Sequence, residues 1–83
     1  MSLQTVDRLV SQAKALELND LADSIGSLSG VLNLDSAEIV EFVLAIESEF
    51  QITIAEDDQE KFFYTGSEVK KLIARVEELE AAR

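Results

Sequence analysis

The chain has 83 residues, 47% apolar and only 6% aromatic, which suits one small aliphatic core and is too apolar for a disordered segment. Seventeen Asp and Glu against seven Lys and Arg give a net charge of −10, which disfavours nucleic acid and anionic membrane surfaces and favours basic protein partners. The absence of Cys and His removes disulfides, thiolate and imidazole metal ligands and the commonest nucleophile and base, so an enzyme with its own catalytic machinery is not expected.

No apolar run is long enough to cross a bilayer. The opening MSLQTVDRLV lacks the basic-then-apolar layout of a secretory leader. A cytoplasmic location is therefore expected.

The first element reads as a helix. Leu3, Val6, Leu9, Val10, Ala13 and Leu16 fall on one arc at helical spacing, and Ser2 is placed to cap it. Glu17 would enter that arc, so the helix should end near Leu16.

Residues 17–35 carry Asn19, Asp20, Gly26, Gly30 and Asn33 among several serines, which is the chemistry of a long loop. Leu21, Ile25, Leu28 and Leu32 recur at steps of three or four and should pin this loop to the core through a short helical turn.

The second main helix is the best defined. Asp35-Ser36-Ala37-Glu38 reads as a capping box, with Asp35 accepting from the Glu38 backbone N–H. Ile39, Val40, Phe42, Val43, Ile46 and Phe50 form its expected buried arc. Ala37, Glu38, Glu41, Leu44, Ala45, Ser48 and Glu49 form the outer face. Leu44 is thus an exposed aliphatic residue among acids.

Gln51-Ile52-Thr53-Ile54 is expected as an extended connector, and Glu56 to Phe63 as one or two helical turns anchored by Phe62 and Phe63. Thr65-Gly66-Ser67-Glu68 reads as a second capping box, opening a last helix that buries Val69, Leu72, Ile73, Val76 and Leu79 and stops packing at Glu80. The whole is expected to be one all-α domain over residues 1–83. Its architecture is a small four-helix bundle, three main helices plus one short helix, with a long loop between the first and second.

The charge is local. Residues 35–60 hold nine acids and no base, while the remainder holds eight acids and seven bases. That stripe is either a solvated face or a docking face for basic partners; Leu44 and Ala37 within it favour docking. Glu56-Asp57-Asp58-Gln59-Glu60 lacks the alternating ligands and the glycine of a calcium loop, so no metal site is expected.

The run from Asp35 to Phe50 resembles the second helix of acyl carrier proteins. Leu28, Leu32 and the turn before Asp35 fit that family's loop, and residues 52–60 its connector and short helix. The resemblance implies that Ser36, next to Asp35, bears a 4′-phosphopantetheine arm taken from coenzyme A by a phosphopantetheinyl transferase (a holo-ACP synthase). The arm's thiol would carry acyl groups as thioesters between enzymes of fatty-acid, lipid or polyketide synthesis. A chain without Cys needs a thiol from a cofactor for that task, and a helix N-terminus suits an anionic phosphodiester. On its own residues Ser36 is an ordinary helix-start serine; the surrounding match is what marks it.

By the same resemblance, Ala37, Glu38, Glu41, Leu44, Glu47 and Ser48 would meet acyl-transfer and synthase enzymes through basic docking patches. Phe42, Val43, Ile46, Phe50, Ile54 and Leu72 would shelter an acyl chain. The carrier would act as a monomer, without nucleic acid or membrane. The sequence departs from the family at Ala37 (usually Leu), Ser29-Gly30-Val31 (usually with an acid), Asn33 (usually Gly, and tolerant of positive φ), Ser48 (usually Glu) and Ala55 (often Pro). These departures suggest a specialised member. The competing reading is an acidic helical interaction module without the prosthetic group.

Overall fold

The computed structural model describes residues 2–83. Five helices follow in order: α1 (Leu3–Ala15), α2 (Asn19–Gly26), α3 (Ser36–Phe50), α4 (Glu56–Phe62) and α5 (Val69–Ala82). The protein is all-α, as its periodicity predicts.

Helix α1 begins where the Ser2 hydroxyl accepts from the Gln4 N–H at 3.2 Å. It buries Thr5, Val6, Leu9 and Ala13. Leu3, expected on the packed arc, is 81% exposed because the first turn projects past the core.

Within the long loop expected over 17–35, the short helical turn is a full helix, α2. Asn19 and Asp20 are weak helix formers, yet Leu21, Ala22 and Ile25 bury one face of the segment in the core. That burial outweighs local propensity. The bundle therefore has five helices instead of four.

Helices α1 and α2 end in the same way, with no glycine at the left-handed position. Glu17 takes φ 62, with its N–H donating to Lys14 O and that of Leu18 to Ala13 O. Leu28 takes φ 55, with its N–H donating to Ile25 O and that of Ser29 to Ser24 O. Both are Schellman closures with a side chain where glycine is usual. Gln51 at the end of α3 is also left-handed, at φ 56. Asn33, expected to tolerate such a conformation, does not adopt it.

Helix α3 buries Phe42, Val43, Ile46 and Phe50. Val40, assigned to the same arc from sequence, is 55% exposed. It lies three residues after Ala37 and four before Leu44, so it joins the outer face. Ile54 is buried and Ile52 half-buried, as anchors of the connector. Phe63, just past α4, is buried with its ring 6.4 Å from that of Phe42.

The second capping box does not form. Glu68 occupies the N-cap position of α5 without a side-chain cap bond, and the Thr65 hydroxyl donates instead to Leu34 O. The backbone here is laced across the molecule: Leu32 N–H to Ser67 O, Gly66 N–H to Leu32 O and Val69 N–H to Gly30 O. An isolated bridge pairs Val31 with Glu68. Leu32, Leu34 and Ser67 are buried along this seam.

Apolar packing along α5 ends before Glu80, as expected, and Glu80 itself is ion-paired. Its carboxylate receives Arg8 Nη1 at 2.8 Å, and Arg8 Nε reaches Glu49 at 3.0 Å. The same guanidinium donates to Glu49 O and stacks 4.1 Å above the Phe50 ring. One residue thus ties α1, α3 and α5 together, and Glu80 raises its pKa most, ahead of Glu49. Arg75 grips the largely buried Asp58 through two 3.0 Å bonds, joining α5 to α4.

Candidate functional site

Ser36 is the first residue of α3 and is exposed. Its position is set by a closed local device. Asp35 Oδ1 accepts from the Glu38 N–H at 2.8 Å, while the Asp35 N–H donates to Glu38 Oε1 at 3.0 Å. The capping box read from sequence is therefore present in both directions. The N–H groups of Ser36 and Ala37 have no intrahelical acceptor available to them and lie at the positive end of the helix.

The segment before Ser36 is held from the other side. Leu34 is buried, and its carbonyl accepts from the Thr65 hydroxyl. Ser36 thus stands between the seam with residues 64–69 and the capping box.

Ala37, Glu41, Leu44 and Ser48 are exposed and share one face of α3. Val40 joins them, so the aliphatic stripe is Ala37, Val40 and Leu44, with Leu44 at 59% exposure. Val40 was legible in principle, since it has the same spacing to Ala37 and Leu44 as any same-face residue. Two expected docking residues are partly engaged elsewhere. Glu38 serves the capping box, and Glu47 Oε2 accepts from the Ile54 N–H at 2.8 Å.

Phe42, Val43, Ile46, Phe50, Ile54 and Leu72 are all buried and all belong to the common core. A cleft of about 280 Å³ opens elsewhere, between the α1–α2 turn, α2 and the start of α3. Of the site residues expected from sequence only Glu38 lines it; none of the six residues expected to shelter an acyl chain does. Sequence reading missed this cleft, whose walls all lie within residues 17–38 and meet only once α2 and the turn after it have folded.

Among the described residues no group of three carboxylates converges as a metal site would require. Asp58, within the acidic run, is committed to Arg75. No helix is long and apolar enough to cross a membrane. No family model matches the chain, and no solved structure matches it significantly.

Proposed function

We propose that the protein is a carrier that bears 4′-phosphopantetheine on Ser36. The observation carrying this reading is the exposed Ser36 hydroxyl at the start of α3, fixed by a two-way capping box on a chain that has no Cys. The attachment needs little from the carrier itself. The serine oxygen attacks the phosphorus nearer the pantetheine in coenzyme A. The pyrophosphate bond breaks, adenosine bisphosphate leaves, and the serine proton passes to a base of the transferase. The new phosphodiester is anionic and sits where the helix dipole favours it, by roughly 0.3–1 kcal/mol.

The exposed stripe Ala37, Val40 and Leu44, flanked by Glu41, supports docking of enzymes with an apolar contact ringed by basic residues. Such a carrier holds cargo and performs no catalysis of its own. The cargo enters as a thioester on the arm's thiol and leaves by transfer to a partner enzyme.

The test is mass spectrometry after incubation with coenzyme A and a phosphopantetheinyl transferase. A gain of one phosphopantetheine on wild type, lost in Ser36→Ala with unchanged helix content, is the expected result. An unchanged mass with several transferases, beside a carrier that is modified, would defeat the reading in favour of a plain acidic interaction module.

A further inference from the structure

The cleft beside α3 has a chemistry of its own. Leu18, Leu21, Val31 and Leu34 give it apolar walls. Asn19, Asn33 and Ser24 add amide and hydroxyl groups that both donate and accept. Glu17, Asp20 and Glu38 stand at its lining, and no Lys or Arg does. An anionic ligand is therefore disfavoured there. A neutral, slender molecule with amides, a hydroxyl and methyl groups is matched on each count. The volume, about 280 Å³, falls just under the usual range for small-molecule pockets, which suits a slender open chain better than a ring system.

The place matters as much as the lining. Leu34 lies two residues before Ser36 and Glu38 two after it, and both line the cleft. A group tethered to Ser36 is thus held at the cleft mouth at high effective concentration, so weak contacts suffice to seat it.

We propose that this cleft is the resting seat of the neutral pantetheine portion of the arm on Ser36, an inference that rests on the carrier reading above. The phosphate stays outside the cleft, at the N-terminus of α3. The two amides and the hydroxyl meet Asn19, Asn33 and Ser24, and the geminal methyls pack on Leu21 and Leu34. The thioester end then rests against α2, on a different side from the Phe42–Ile46–Leu72 core.

Nuclear magnetic resonance on the isotope-labelled, transferase-modified protein tests this. Expected are direct contacts between the arm's methyl protons and those of Leu21 and Leu34, with shifted amides at Leu18, Ser24 and Val31. Asn33→Trp, which fills the cleft from an exposed position, should erase those contacts while Ser36 still gains mass. Val31→Trp provides the same block if the first variant does not fold. Thioesters on either variant should hydrolyse several-fold faster. A modified protein whose arm contacts only the core, or only residues 35–39, overturns the seat but leaves the carrier reading intact. A wild-type chain that gains no mass overturns both.

Discussion

The Thr65 hydroxyl donates to the backbone carbonyl of Leu34, across 31 residues of sequence and one position short of the α3 cap. This bond and the neighbouring backbone ladder fix the approach of the chain to Ser36. Thr65→Val keeps the shape and removes the donor, so it should cost about 1 kcal/mol of stability. It should also slow modification of Ser36, and Thr65→Ser should restore both. Chemical denaturation and the rate of mass gain are the measurements; an unaltered modification rate would confine Thr65 to a packing role.

The capping box makes a separate claim. Asp35→Ala removes the acceptor for the Glu38 N–H and should destabilise the protein by about 1 kcal/mol. Asp35→Asn should recover most of that, because an amide oxygen still accepts. Thermal melts of the three proteins decide it.

The outer face of α3 separates docking from folding. Val40→Arg and Leu44→Arg alter side chains that are 55% and 59% exposed, so stability should stay within about 0.5 kcal/mol. Modification by the transferase should nevertheless weaken, and the deficit against wild type should shrink as added salt screens the introduced charge. Ile46→Ala, at a position with 0% exposure, is the contrast and should cost about 2–5 kcal/mol. Circular dichroism with the modification assay distinguishes the two classes.

Glu17 offers a gain. It is exposed and left-handed at the end of α1, where an ordinary side chain costs about 1–2 kcal/mol. Glu17→Gly relieves that strain but frees the unfolded chain, so the net increase should be a few tenths to about 1 kcal/mol. A lower melting temperature would mean that the Glu17 side chain has a stabilising role beyond the turn.

Lys71 holds the Glu68 carboxyl below its ordinary value of 4.5 through a hydrogen bond and its charge. A depressed acid contributes stability above its unfolded value and loses it as pH falls through the folded one. Glu68→Gln should therefore melt slightly earlier than wild type at neutral pH. The two should converge in acid, below the folded value. The same difference persisting in acid would remove the ion pair as its cause.

What the sequence disclosed depended on range. The α3 cap and the buried run Phe42, Val43, Ile46 and Phe50 were legible because each is specified within one helix. Helix α2 was legible only as a short turn, because Asn19 and Asp20 signal a break locally and burial of Leu21, Ala22 and Ile25 overrides them. Thr65 satisfied the local pattern of a cap, yet its hydroxyl found an acceptor on a distant segment. Val40 failed for a narrower reason, since it borders both arcs of α3 and only packing assigns it. The left-handed residues are Glu17, Leu28 and Gln51 together with Gly30 and Gly66, so glycine and asparagine content alone did not locate the helix ends. The cleft was illegible because its walls, although all within residues 17–38, are brought together only by the fold of α2 and the turn that follows.

The seam between residues 30–34 and 64–69 has a consequence for biosynthesis. The stretch leading into Ser36 obtains its hydrogen-bond partners only from the last quarter of the chain. While the protein is being made, α3 can coil and cap itself, but its entry path stays untethered until Thr65, Gly66 and Ser67 have left the ribosome. A nascent chain stalled short of them should present Ser36 on a loose strap, visible as rapid amide exchange at Leu32 that ceases once the final segment emerges.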